Sequence, residues 1–234
     1  MARVLAPGED AEELARSADA DVLGVAGGDG SLAAVATVAI DRRLPFVCVP
    51  FGTYNHFARD LGLDREDPIR SLDSFDGEER RVDVGRVGGR MFLNNVSFGV
   101  YASLVHRRER RERRRLALAS ARALWRVARE REALRLDIDG SPMVARVVVV
   151  ANNAYELDLF SLGARSSLSD GVLCLYTANG WLPSAWETRR GRRFRIGARR
   201  REIEAAIDGE PVRLRPPLEF ALEPQALRVL VPQR

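Results

Sequence analysis

Val22-Leu23-Gly24-Val25-Ala26-Gly27-Gly28-Asp29-Gly30-Ser31 decides how the rest of the sequence is read. A short apolar run, Val22 to Ala26, ends in glycines set around one acid, and Ser31 to Ile40 follows with helix-like composition. A strand feeding a glycine loop that opens a helix is a cradle for phosphate. Glycine lets the backbone approach an anion, and the helix N-terminus offers open amides and a partial charge of roughly half a unit. Asp29 is out of place in a pure anion site and suits one where a cation bridges it to the phosphates. A carboxylate, a glycine nest and a nucleotide phosphate together point to magnesium. The same residues also serve as a plain tight turn with Asp29 in solvent.

Outward from this loop, Leu44 to Val49 reads as a second buried strand, with a turn at Pro50 to Thr53 and a short helix near Asn55 to Leu61. Asp67 and Pro68 read as N-cap and first residue of another helix, closed by Gly77. Strand, helix and strand at this spacing predict a parallel α/β layer. The second loop stands at the C-terminal end of its strand, where open α/β sheets bind ligands. Its Thr53 and Asn55 are suited to hydrogen-bond a phosphate or base.

From about Arg81 the pattern changes. Val82 to Val84, Met91 to Val96, Leu134 to Ile138, Val144 to Ala151, Val172 to Thr177, Ile203 to Ile207, Leu218 to Leu222 and Leu227 to Leu230 read as strands, punctuated by Gly-Gly, Asp-Gly and Asn-Gly turns. This predicts an antiparallel β region interrupted by one arginine-rich helix at about 105–131. The domain boundary falls at residues 78 to 81, giving an α/β domain over 1–79 and a β domain over 80–234.

All 37 basic residues among the 234 are arginine. Without lysine there is no Walker A lysine, no protein-kinase strand lysine, no Schiff base to pyridoxal phosphate and no lysine base. Phosphate must be handled by amides, arginine, hydroxyls and metal. The net charge of +4 is unevenly spread: Arg107 to Arg131 and Arg189 to Arg201 each carry +8, which leaves −12 on the remainder. In the first segment Leu118, Ala121, Trp125 and Ala128 share one helix face. Such a basic amphipathic helix can rest on anionic lipid, bind nucleic acid or lie solvated. The second segment shows little periodicity and reads as a loop near phosphate or membrane. No secretory signal and no bilayer-length apolar run is found, so a soluble, cytoplasmic protein able to visit the inner membrane face is expected. Cys48 and Cys174, each inside an apolar run, read as buried free thiols.

Gly27-Gly28-Asp29-Gly30-Ser31, followed by Pro50-Phe51-Gly52-Thr53-Tyr54-Asn55-His56-Phe57-Ala58-Arg59-Asp60-Leu61-Gly62-Leu63, resembles the diacylglycerol-kinase catalytic-domain family of lipid kinases. Val82-Asp83-Val84-Gly85, Phe92 to Gly99, Ser169-Asp170-Gly171 and Ile207-Asp208-Gly209-Glu210-Pro211 continue the match in order. Phosphofructokinases and NAD kinases share the glycine motif but fit the later segments less well. The resemblance implies a Rossmann-like α/β nucleotide-binding domain (NAD kinase/diacylglycerol kinase-like) packed on an antiparallel β-sandwich, with the active site between them. It implies Gly27, Gly28, Asp29, Gly30, Ser31, Gly52, Thr53 and Asn55 as contacts to ATP. Glu210 matches the family's proton acceptor, and Asp29 is similar to a carboxylate that orients Mg2+ and the γ-phosphate, itself argued to be the base in some relatives. Asp170, with the carbonyls of Ser167 and Val172, resembles a magnesium site in the β domain, and Asp83 would join the carboxylate network.

Three departures bear on turnover more than on fold. The family's opening strand, Asn/Ser-Gly-type loop and first helix have no counterpart, Leu5 and Ala6 replace a frequent threonine, and His56 stands where many members have aspartate. The resulting expectation is an ATP- and magnesium-dependent lipid kinase of phospholipid metabolism, acting on diacylglycerol or a related lipid at the membrane surface, with a homodimer compatible. The alternative is a catalytically inactive nucleotide-binding relative with a regulatory or partner-binding role. An arginine-mediated nucleic-acid binder is the lesser option.

Overall fold

The computed structural model describes residues 2–6, 8–52, 55–99, 133–158, 161–179 and 186–233. Thr53 and the arginine-rich helix expected at 105–131 lie outside the described residues.

Strand β1 (Leu23–Gly27) pairs in parallel with β2 (Phe46–Pro50), Val25 opposite Cys48, as the strand-helix-strand reading requires. Helix α2 (Asp29–Arg42) joins them. It buries Leu32, Val35, Ala36, Val38 and Ala39 on the sheet, and closes on Arg43 in the left-handed region at φ 58°. Every residue of β2 is buried, because helix covers one face and other chain covers the second. A short helix, α1 (Ala11–Ser17), packs on α2 ahead of β1, so the segment before the glycine loop is not bare of helix. Its seven residues bury only Ala15, too little periodicity to read from sequence. After α3 (His56–Asp60) comes the helix expected at 68–77, formed as a 3-10 segment over Pro68–Asp76. Asp67 caps it by accepting from the Arg70 amide, and Gly77 ends it. A Cβ on Gly77 would overlap the Val231 carbonyl, so the chain can pass there only as glycine.

The remaining strands are β3 (Glu78–Val87), β4 (Arg90–Phe92), β5 (Asn95–Gly99), β6 (Leu134–Ile138), β7 (Ser141–Ala145), β8 (Val147–Asn152), β9 (Tyr155–Asp158), β10 (Ser161–Arg165), β11 (Leu173–Ala178), β12 (Trp186–Gly191), β13 (Arg193–Ala198), β14 (Ile203–Ile207), β15 (Glu210–Leu214) and β16 (Leu218–Val231). Sheet β12-β11-β8-β5-β14-β15 is antiparallel throughout. It faces the strands β3, β4, β6, β13 and β16 across an apolar core that includes Phe92, Phe98, Leu136, Val148, Leu175, Ile196 and Phe220. The Phe92 ring meets Phe220 edge-on with centroids 6.3 Å apart, and it lies flat on Gly85, where a Cβ would enter the ring. This is the expected β-sandwich.

Two expectations are corrected. The runs Leu218–Leu222 and Leu227–Leu230 are one strand, β16, with an irregularity between Glu223 and Leu227. Its first half belongs to the sandwich core. Leu227, Val229 and Val231 belong instead to the α/β core with Leu32, Phe46 and Phe57, and Val229 pairs in parallel with Phe46. The linear division at residues 79 and 80 therefore does not follow the cores, because the chain's last strand returns to the first sheet. Second, Arg189 to Arg201 is no loop. It runs from β12 to β13, which lie in different sheets, and buried Phe194 and Ile196 alternate with exposed Arg193 and Arg195. Arginine density hid a period of two. Cys48 and Cys174 are buried and free, as read.

Candidate active site

The two glycine loops sit side by side at the C-terminal ends of β1 and β2. Gly28 is the N-cap of α2, in extended conformation and with no side-chain cap, so the first-turn amides of the helix are left open. A Cβ on Gly52 would overlap the Gly28 Cα and come within 2.7 Å of Asn55 Oδ1, so the loops touch backbone to backbone. Asn55 is 3% exposed with φ 51°. Its Oδ1 accepts from the Gly52 amide and its Nδ2 donates to the Gly52 carbonyl, both at 2.8 Å. Asn55 therefore cinches the second loop, and both ends of its amide are engaged within the protein.

Asp29 is 8% exposed and turned toward α3. Its Oδ2 accepts from the His56 amide at 3.3 Å and its Oδ1 from the Phe57 amide at 3.2 Å. The first loop thus caps the helix that follows the second, whose own N-cap residue makes no side-chain cap. Asn94 Nδ2 donates to Asp29 Oδ1 at 3.3 Å from the β-sandwich side. His56 is half-buried beside this carboxylate. Burial holds its imidazole below the usual pKa, against the opposing pull of Asp29.

Glu210 enters from the other side of the fold. Asp208 and Gly209, both at positive φ (48° and 92°), make the two-residue turn between β14 and β15, with Ile207 opposite Glu210. The Asp208 carboxylate accepts from the amides of Leu93 and Asn94 at 2.7 Å and of Asn95 at 2.9 Å, docking the turn onto the bend between β4 and β5. Burial pushes Asp208 up to about 7 against these three amide bonds, and the charge of Asp29 adds to the rise. The Glu210 side chain then rests on the glycine loop: a Cβ on Gly30 would meet Glu210 Oε1 at 2.8 Å. Gly30, Asp208 and Glu210 line one cleft of about 600 Å³, floored by Ala33, Ala34, Met91 and Ile207 and rimmed by Arg16, Arg86 and Arg90.

The other predicted metal residues are placed differently. Asp83, 1% exposed, accepts from the Gly171 amide at 2.7 Å and from the Gln225 amide at 2.8 Å. It ties the loop before β11 to the irregularity in β16. The Val172 carbonyl accepts from the Asn153 amide at 2.9 Å, the Ser167 hydroxyl accepts from the Ser169 amide, and Asp170 is exposed. Among the described residues no three His, Cys, Asp or Glu side chains gather to hold a metal ion. Sequence reasoning missed Asn94, Asp208, Arg165 and Asp60 as members of the site. Asn94, Asp208 and Asp60 stand inside quoted motifs, and Arg165 carried no signal.

An α/β layer whose glycine loop meets an acidic turn from a β-sandwich defines a protein of the diacylglycerol kinase-like fold. The crystal structure of a diacylglycerol kinase from Bacillus anthracis str. Sterne superposes with a TM-score of 0.66, at 17% identity, over 95% of this chain and 81% of that one. Residues 2–87 match the family model of the Diacylglycerol kinase catalytic domain. The Diacylglycerol kinase of Bacillus subtilis (strain 168) is 36% identical over 89 residues, 37% of this chain and 29% of that protein. A Pseudomonas fluorescens protein named "Probable lipid kinase YegS-like" is 41% identical over 75 residues, 31% of this chain and 25% of that protein. The matched stretch is thus under a third of these curated relatives' length. No helix among the described residues is long and apolar enough to cross a membrane.

Proposed function

We propose that the protein is a lipid kinase that transfers the γ-phosphate of ATP to the hydroxyl of diacylglycerol or a related lipid. The contact of Glu210 with Gly30 carries the reading, because it sets a base against the loop suited to hold phosphate. The open amides at the start of α2 and the loop around Gly52 bind the phosphates. Glu210 takes the proton as the acceptor hydroxyl oxygen bonds to the γ-phosphorus, and the bond from that phosphorus to the β,γ-bridging oxygen breaks to release ADP. Asp29 lies on the loop, held by three donors, two on Oδ1 and one on Oδ2, so that one lone pair of Oδ2 is left over. That donor set fits Mg2+ arriving with the nucleotide, since magnesium is commonly held by one or two carboxylates plus substrate phosphates. When bound, the ion supplies neutralisation of the charge on the transferring phosphoryl group. The ion implied at Asp170 and the carbonyls of Ser167 and Val172 belongs to the same proposal, with Asp83 as the anchor of that loop.

The test is labelled ATP with mixed micelles of diacylglycerol, run beside a panel of other lipid alcohols, on wild type and Glu210→Gln. Lipid phosphorylation that falls about 10²–10⁴-fold in the variant is expected. ATP binding without turnover on any lipid would instead support the inactive, partner-binding relative.

A further inference from the structure

Arg165 lies behind the site and has no part in the reaction as written, yet it reaches Asp29 through one intermediary. Its side chain has no exposed area. Nε donates to Asp60 Oδ2 at 2.7 Å, Nη1 to the carbonyls of Leu93 at 2.7 Å and Asn152 at 3.0 Å, and Nη2 to Asn94 Oδ1 at 2.8 Å. The guanidinium carbon stands 5.6 Å from the centroid of the Tyr155 ring. Asp60 ends α3 in the α/β layer, whereas Asn152 ends β8 and Asn94 directly precedes β5, both strands of the antiparallel sheet, so this one side chain joins both units.

The consequence lies in Asn94. A primary amide has an acceptor and a donor end of nearly equal shape, and its neighbours decide which way it points. A guanidinium only donates and a carboxylate only accepts. With Arg165 on one side and Asp29 on the other, a single orientation satisfies both: Oδ1 to Arg165 and Nδ2 to Asp29. The reversed amide would set an oxygen against the Asp29 carboxylate and its donors against Arg165. Meanwhile the Asn94 backbone amide donates to Asp208 Oδ1 at 2.7 Å, on the turn that carries Glu210. Asn94 therefore spans the glycine loop and the acidic turn.

We propose that Arg165 is a positioning residue for phosphoryl transfer, which fixes the Asn94 amide and so holds Asp29 in register with the turn bearing Glu210. The inference rests on the reading of Asp29 and Glu210 as the working carboxylates. Lysine cannot take over the role, because a point donor on a flexible stem does not reproduce a planar fork meeting four acceptors.

The test is a cycle of Arg165→Lys, Asn94→Ala and the double variant in the full chain, with kcat and the KM for ATP measured on lipid micelles. Each single change is expected to lower kcat by up to about 10²-fold, the cost of a misplacement near 1 Å. The KM for ATP should change far less, and the double variant should be no slower than the slower single. Multiplying losses in the double variant overturn the proposal. Should Arg165→Lys fail to fold, Asp60→Asn replaces it, since it loosens the guanidinium from its far side. A second readout needs no turnover. In protein labelled with 15N at asparagine, the side-chain amide pair of Asn94, assigned by its loss in Asn94→Ala, should shift in Asp29→Asn and in the Arg165 or Asp60 variant. An amide pair unmoved by these changes overturns the proposal. A wild type without lipid phosphorylation sinks the kinase reading, while the amide spectrum still decides whether Arg165 orients Asn94.

Discussion

Replacing Gly30 with alanine separates the chemistry of the site from its stability. Gly30 is the second residue of α2 and its φ lies outside the left-handed region, so alanine fits the local backbone. Alanine in a helix is favoured over glycine by up to about 1 kcal/mol, so the fold should be unharmed or slightly gain. The added methyl, however, would stand 2.8 Å from Glu210 Oε1, 2.9 Å from Cγ and 3.1 Å from Cδ, where ordinary contact begins at 3.4 Å. The carboxylate must therefore retreat by roughly 0.6 Å or rotate to another rotamer, which costs about 0.5–1.5 kcal/mol if staggering is lost. Glu210 is exposed, so the side chain has space to retreat into, and the retreat is harmful for proton transfer. A misplacement near 1 Å costs about 10²-fold in rate, and roughly 10–100-fold in kcat is expected here. The assay pairs lipid-dependent ATP turnover with thermal melting of the same preparation. Turnover within twofold of wild type, at an unchanged Tm, would refute the claim that the Gly30–Glu210 contact sets the geometry of the reaction.

Gly52→Ala should behave in the opposite way, because its methyl would meet backbone rather than the end of an exposed side chain. With the Gly28 Cα in overlap and Asn55 Oδ1 at 2.7 Å, the two loops must part. A loss of about 1–3 kcal/mol is expected, seen as a lowered Tm together with weaker nucleotide binding by calorimetry. Asp208 gives a pH prediction. Its folded-state pKa is raised to about 7 from the ordinary 3.8 of an aspartate, so between those pH values the folded state holds a proton that the unfolded state has released. The stability it contributes is present at low pH and is lost as pH rises toward 7. Denaturant titrations at pH 4.5 and 7 should show wild type losing stability relative to Asp208→Asn over that interval. A difference that stays flat, or runs the other way, contradicts the assignment.

Much of the first sheet was legible because its signals are local. Gly27 to Gly30 had to be a loop opening a helix, Asp67-Pro68 had to start a helical segment, and Leu44 to Val49 had to be buried. Each follows from a few adjacent residues and appears in β1, α2, the 3-10 segment and β2. What failed was non-local. Leu227 to Leu230 reads as one more antiparallel strand, and nothing in its composition says that it lies parallel to β2 in the first sheet. The alternation of Phe194 and Ile196 was masked by the arginines around them, whose charged heads sit outside a half-buried strand.

The site divides along the same line. Gly30 and Glu210 were named from separate motifs 180 positions apart, and the fold brings them into contact through the docking of Asp208 on the amides of Leu93, Asn94 and Asn95. Residues whose chemistry is intrinsic, such as a carboxylate or a glycine at a helix start, can be read as candidates one at a time. Arg165 could not, because an arginine among 37 basic residues says nothing of burial. Its meaning arises only when Asp60, from the far side of the α/β layer, balances its charge and frees its remaining donors for Leu93, Asn94 and Asn152. The same holds for Asn94, whose amide is symmetric in shape until a donor and a carboxylate flank it. Orientation, rather than identity, is the part of this site that only tertiary structure supplies.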